Sequence, residues 1–412
     1  MTRWSTSSVI PVDYMKAITS DEVRAILGSG RQVSALIADA SVPGVDRELI
    51  SLAVESESIV IVIADGSGRR DWNAIGAVAV LDDDFTPEEL TEILRRSARA
   101  LGPTQRRSAS LSISLAEELE SAARTITVAG AGGSGSSTVA MALAQALGDR
   151  SRLSDTGRAV ALVDGARRAH LSLYHDVGDV IPGLPELIDA HRADRPDPDE
   201  IGRLFFRIED RGYDLLLGRR RPRDAASMGP ISTAAAIEGV RRAFDTVIID
   251  VDSELDGEGE TGSVDIENHH GVTRVAADSS DLVLLVVRPG MKGMHDLVEL
   301  VDAFSEFGVR RNKLLPVVNL APRSAVARAA LTKLVAQLSA LDGESAHPPI
   351  FLPQVRSLED IHNCASRLPS TLTAPLGRVV DHLIPANGAV TSTVKGSPPK
   401  LGSHDHPRIE VA

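Results

Sequence analysis

The stretch TVAGAGGSGSSTVAMALAQALG, residues 127–148, concentrates glycine and hydroxyl side chains between an apolar run at 125–129 and a segment of helical periodicity at 137–147. Gly130, Gly132, Gly133 and Gly135 let backbone amides turn inward and approach phosphate oxygens without an intervening Cβ, at the positive end of a helix. The pattern is GxxxxGK[ST], with Ser136 where the lysine would stand. Ser134, Ser136, Ser137 and Thr138 complete the candidate phosphate-binding set, and the Ser137 hydroxyl falls where such a loop ligates Mg²⁺. The plain alternative is a glycine-rich turn that packs a helix on a strand.

Carboxylates follow at the ends of later apolar runs. Asp164 closes 159–163 and Asp250 closes 246–249, the latter being the candidate Mg²⁺ ligand; Asp252 reads as a loop carboxylate. Arg219, Arg220 and Arg221 follow the run 214–217, with Arg167 and Arg168 after Asp164. They read as a solvated basic loop, or as a contact for phosphate, an acidic partner or DNA. His269 and His270 lie at the end of an acidic, glycine-containing stretch, 254–268, expected to be irregular, so no metal site is assigned to them.

These groups need a scaffold, and the apolar runs supply one: 33–38, 59–64, 77–81, 125–129, 159–163, 214–217, 246–249, 282–287 and 314–318. Segments of helical periodicity, such as 87–101, lie between most of them. Unbroken apolar strands alternating with helices predict an α/β protein with mostly parallel sheets covered on both faces. The expected organisation is a smaller α/β unit at 1–101, a linker at 102–123 with an amphipathic piece at 111–123, a main domain at 124–385 and a disordered tail at 386–412. Residues 194–200 also read as irregular.

A net charge of −13 across 412 residues disfavours electrostatic coating of DNA or anionic lipid. The single cysteine, Cys364, excludes an internal disulfide and reads as a structural thiol. No run of 18 apolar residues occurs, which predicts a cytoplasmic protein.

The loop resembles the deviant phosphate loop of the MinD/ParA family, KGGxGKTT, with Ala131 at the signature lysine and Ser136 at the general one. The similarity extends over 124–384. AVALVDGA resembles the second motif, with Asp164 at its first aspartate and Ala166 in place of the residue that helps position water. FDTVIIDVDS resembles the strand ending in the Mg²⁺-linked aspartate, here Asp250; SDLVLLVVRP resembles the next strand; LLPVVNLAPR carries Asn319 where an adenine-contacting asparagine lies. The lysine-free loop, preceded by another α/β unit, is most similar to the CpaE/TadZ branch of pilus-assembly proteins and their septum-site-determining homologues. The resemblance implies a mostly parallel P-loop NTPase domain, ATP or ADP with Mg²⁺, and no cofactor if the pocket is degenerate. It implies Asp164 and Asp250 as candidate catalytic residues, weak or absent hydrolysis, and a homodimer.

LIADASVPG places Asp39 at a strand end, as the phosphate acceptor of a receiver domain is placed, but Asp83 stands at about the receiver's lysine position. Only about 30 residues precede the first run, too few for two strand-helix units. Residues 1–101 are therefore expected to be a degenerate receiver-like interaction domain. The implied role is a localisation or assembly factor for pilus, secretion or septum machinery. Such a factor is recruited to the pole, the septum or the inner membrane face through a protein partner and does not bind nucleic acid. An active ATPase with arginines in place of lysine, and a DNA-partitioning protein, are the alternatives.

Overall fold

The computed structural model describes residues 12, 14–29, 31–64, 70–98, 123–153, 159–177, 181–221, 224–225, 228–339 and 347–384. The expected linker at 102–123, except Ala123, its amphipathic piece, and the tail at 386–412 lie outside them. The chain forms two compact units, Met1–Glu120 with Asp189–Pro196, and Ser121–Ile188 with Asp197–Ala412.

In the first unit three parallel strands, β1 (Ala35–Asp39), β2 (Ile59–Ile63) and β3 (Ala79–Leu81), lie in the order β1-β2-β3. The central strand reads IVIVI because both its faces are covered. Val60 and Val62 pack with Leu49, Ile50 and Trp72, and Ile61 packs with Leu81 and Leu90. Helices α1 (Ser20–Gly28), α2 (Arg47–Glu55) and α3 (Pro87–Ser97) supply the covering residues. Each begins where a side chain caps its first turn: Thr19, Asp46, and Thr86 in a reciprocal pair with Glu89.

The second unit is an eight-stranded sheet. Its strands are β4 (Arg124–Gly130), β5 (Val160–Asp164), β6 (Phe206–Ile208), β7 (Tyr213–Leu216), β8 (Thr246–Asp250), β9 (Leu282–Val287), β10 (Leu314–Ala321) and β11 (Ile350–Pro353). Their order is β11-β10-β9-β4-β8-β5-β7-β6, parallel throughout except for the β6–β7 pair. The alternation inside each apolar run now has a meaning. In β9, Val283, Leu285 and Val287 face one core and Leu282, Leu284 and Val286 the other. Each such side chain contributes about 1.5–3 kcal/mol on burial. Helix α4 (Ser136–Leu153) covers one face with α13 (Ser370–Leu383). Helices α7 (Pro230–Ala243), α9 (Val264–Ser279) and α10 (Met291–Glu306) cover the other. The remaining helices are α5 (Leu184–Ala193), α6 (Pro198–Gly202), α8 (Glu258–Thr261), α11 (Ala325–Ser339) and α12 (Leu358–Asn363). No described helix is long and apolar enough to cross a membrane.

Three expectations need correction. Residues 254–268 are irregular only at 254–257 and 262–263; 258–261 form α8, and Ser263 caps α9 by accepting from the Ile266 amide. The segment 194–200 is irregular only as far as Asp197; helix α6 starts at Pro198, with Asp197 and Glu200 forming its capping box. Strands β6 and β11 lie outside the apolar runs; β6 is held by an ion pair directly across the ladder, Arg207 to Asp214 at 3.0 Å, and the two strands turn at Gly212 with φ +82°.

Candidate phosphate-binding site

The glycine loop joins β4 to α4 at the carboxyl end of the sheet's central strand. The Ser134 amide donates to the Ala131 carbonyl at 2.9 Å, closing a tight turn, and Gly133 and Gly135 take φ of +78° and +87°, which favour glycine. Val139 donates to the Gly135 carbonyl at 3.1 Å, so the amides of Ser136, Ser137 and Thr138 have no intrahelical acceptor. A Cβ on Gly132 or Gly133 would meet nothing within 4 Å, so open space lies beside the loop at both. Gly130 has no such room, since a Cβ there would press on Ser134 Oγ and the Val286 carbonyl. These are the features of an anion cradle: positive left-handed turns, free amides at a helix start, and space for the ligand.

Behind the loop the strand register sets Asp164 level with Asp250. Both are 1% exposed. Asp164 Oδ2 accepts from the Leu171 amide at 2.8 Å, whereas no backbone amide donates to Asp250 and the Ser137 hydroxyl is the one group near enough to do so among the described residues. Burial pushes the Asp164 carboxyl up to about 7, against the opposing effect of the amides of Leu171 and Ala166. Burial, then the charge of Asp164, raises Asp250 well above the usual carboxylate range; the nearby Ser137 hydroxyl lowers it only in part. Buried acid oxygens beside a serine hydroxyl form a hard oxygen donor set that suits Mg²⁺. Asp252 lies close enough for its charge to raise both acids further, and it accepts from the Arg167 amide.

No protein-family model matches the chain, and no curated protein matches it in sequence. Among solved structures, a ParA family ATPase from Chlorobium tepidum TLS superposes with a TM-score of 0.50 at 17% identity, over 63% of this chain and 99% of its own. The fold is the ParA fold. The cell division ATPase MinD of Pyrococcus furiosus aligns at 18% identity and a TM-score of 0.45, over 63% of this chain and 99% of its own. MinD of Pyrococcus horikoshii OT3, solved with Mg-ADP, aligns at 19% and 0.46, over 64% and 96%.

Within this ParA fold several side chains are engaged in ways their positions alone do not reveal. Asn319, 8% exposed at the end of β10, donates from Nδ2 to the Ser134 carbonyl at 2.8 Å and accepts at Oδ1 from the Leu320 amide at 2.9 Å. It braces the loop from outside. Thr138 Oγ1 lies 3.3 Å from His362 Nε2, tying the start of α4 to α12. Of the arginine run, Arg220 and Arg221 are exposed as expected and Arg219 is not. Arg219 is 4% exposed and donates to the Gly165 and His269 carbonyls at 3.3 and 3.4 Å, facing Asp252 and Asp164. Arg220 pairs with Glu186, and Arg221 is exposed. His270 is buried on α9, donating from Nδ1 to the Asp256 carbonyl at 2.9 Å, whereas His269 caps back onto the Asp265 carbonyl at 2.6 Å. Cys364, read as a structural thiol, is exposed.

One polar network has no signal in the sequence. Arg211, fully buried in the turn between β6 and β7, donates twice to the Ser366 carbonyl, at 3.1 and 2.8 Å, and once to His175 Nε2 at 3.3 Å. The Tyr213 hydroxyl reaches the same nitrogen at 2.6 Å while His175 Nδ1 donates to the Leu171 carbonyl at 2.6 Å. Burial first, then the Arg211 charge, drives His175 down to about 3, so the ring is neutral and the tautomer is set. Leu171 is also the amide donor to Asp164, so the network ends one residue from the acid pair.

Proposed function

We propose that this chain binds a magnesium nucleotide in a lysine-free loop, hydrolyses it weakly or not at all, and uses the bound state to position other proteins. The observation that carries this is Asp250: a carboxylate 1% exposed, with no backbone donor, level with a second buried acid and next to the hydroxyl of the loop's Ser137. Two ionised carboxylates buried side by side are costly, and a divalent cation would offset the cost.

Ser137 and Asp250 would hold Mg²⁺, and Asp164 would hold a proton or a water beside it. Mg²⁺, when bound, neutralises charge on the nucleotide's phosphates. Loop amides at 132–138 orient the phosphates, and Asn319 keeps the loop from opening. Ser136 and Ala131 carry no charge into this site, and each charge-assisted contact forgone weakens binding by about 1.5–3 kcal/mol. That favours a nucleotide-sensitive scaffold over an efficient ATPase. Arg219 and Arg220 have little support as substitutes, because Arg219 is engaged on carbonyls and Arg220 on Glu186.

In this reading the second unit forms a homodimer around nucleotide, and the first unit, with Asp39 exposed and held by Ser41, recruits a protein partner. The CpaE/TadZ-like role, assembly of pilus or secretion machinery or placement of a septum at the cytoplasmic membrane face, fits a nucleotide-controlled scaffold. Calorimetric titration with Mg-ATP and Mg-ADP tests it, beside Gly135→Val, whose side chain would collide with Asn319 at a φ that valine avoids. Micromolar binding by the native chain, lost in the variant, is expected. Absence of heat with the native chain would make the loop a packing turn.

A further inference from the structure

Beside the loop lies a cavity of about 460 Å³. One wall is the loop at Ala131, Gly132 and Ser134; the other carries Arg288, Lys292 and Asp296. The backbone puts those cations there. Gly130 of β4 is level with Val286 of β9, so both chains leave the sheet at the same height and Arg288 emerges beside the loop. Gly290, at φ +105°, then turns the chain into α10, and the helix packs so tightly that a Cβ on Gly293 would collide with the Arg288 carbonyl. That contact holds the first turn, with Lys292, against the strand end.

We propose that Arg288 and Lys292 bind the phosphate chain of the nucleotide, supplying from the β9–α10 turn the positive charge missing at Ala131 and Ser136. The assignment presupposes the nucleotide binding proposed above. Arg288 is exposed and makes no ion pair among the described residues. The Lys292 side chain is 84% exposed and its ammonium donates to both Asp296 oxygens, at 3.0 and 2.9 Å. An exposed pair of this kind is worth little, so Lys292 can turn to phosphate at small cost while Asp296 keeps it near the cavity. Arginine and lysine also divide the task as phosphate sites commonly do, a planar fork beside a point charge.

The experiment is calorimetry of the full chain with Mg-ATP, Mg-ADP and inorganic tripolyphosphate, using Arg288→Ala/Lys292→Ala, the charge reversal Lys292→Glu, and Lys333→Ala as an exposed lysine outside the cavity. Melting temperatures serve as the folding check. The double variant and the reversal are each expected to weaken Mg-ATP and tripolyphosphate by roughly tenfold or more, with a shallower salt dependence and an unchanged melt. Lys333→Ala should bind as the native chain does. If the native chain and both cavity variants bind equally while Gly135→Val does not, nucleotide binding stands and the role of Arg288 and Lys292 is overturned. If the native chain binds nothing, both fall.

Discussion

Asp164 and Asp250 stand side by side in the core with no cation paired to Asp250 among the described residues, and the amides of Leu171 and Ala166 only partly offset the burial of Asp164. An acid whose folded-state pKa lies above its unfolded value keeps a proton that the unfolded chain releases. Stability is therefore greatest below the unfolded value of 3.8 and falls as pH rises, for Asp164 until about 7. That fall is on the order of 4 kcal/mol at most for Asp164, and Asp250 adds to it in the same direction. Asp250→Asn should raise the melting temperature at pH 8, flatten the decline between pH 5 and pH 8, and abolish Mg²⁺-dependent nucleotide binding. Thermal melts at the two pH values, with and without Mg-ATP, measure all three; an unchanged slope would show that the pair is solvated in solution. Asn319 is the second informative position. Removing its two hydrogen bonds by Asn319→Ala should cost about 1–2 kcal/mol by urea unfolding and weaken nucleotide further, because the loop loses its external brace.

Helix α4 begins in the loop and ends under α13, where Arg150 donates to the Gly377 carbonyl at 2.8 Å. Gln145 bonds the Leu368 amide and carbonyl, both at 2.9 Å, so the closing segment is tied to the nucleotide helix along its length. Arg211 is the deepest of these ties. Arg211→Ala would strand the Ser366 carbonyl and open a cavity beside Met141, which its guanidinium touches at 3.2 Å. A loss of about 3 kcal/mol in urea unfolding is expected; a loss below about 1 kcal/mol would mean that water replaces the guanidinium. In the first unit the capping box of α3 is testable alone: Thr86→Ala should cost about 1 kcal/mol.

Taken as a whole, the chain carries a net charge of −13, a field that repels polyanions, against an open cradle lined by Arg288 and Lys292. Non-specific DNA should therefore not bind at physiological salt, and Arg219 to Arg221 should not alter that outcome; a salt-sensitive shift in anisotropy with labelled DNA would revive a partitioning role. A nucleotide that bridges two copies makes association depend on its concentration. Sedimentation velocity with and without Mg-ATP is expected to show a shift from monomer toward dimer, absent in Gly135→Val. A constant species across both conditions would separate nucleotide binding from assembly.

Strands buried on both faces announce themselves as unbroken apolar runs, which is why β4, β5, β8, β9 and β10 were legible along with the glycine loop and the acids at their ends. Local chemistry suffices there: the periodicity is two, the caps lie within four residues, and positive φ demands glycine. Strand β6 was not legible, because its three residues are too short a run and the cross-strand partner of Asp214, Arg207, interrupts the apolar pair Phe206 and Ile208. Nor could spacing show that Asn319 turns to the loop carbonyl, that Arg219 is buried, or that Arg211 reaches Ser366, since those contacts join residues about 50 to 185 positions apart. The cations facing the loop belong to the same class. Arg288 and Lys292 look like ordinary surface residues until the β4–β9 register and the close packing at Gly293 set them across a cavity from Ala131.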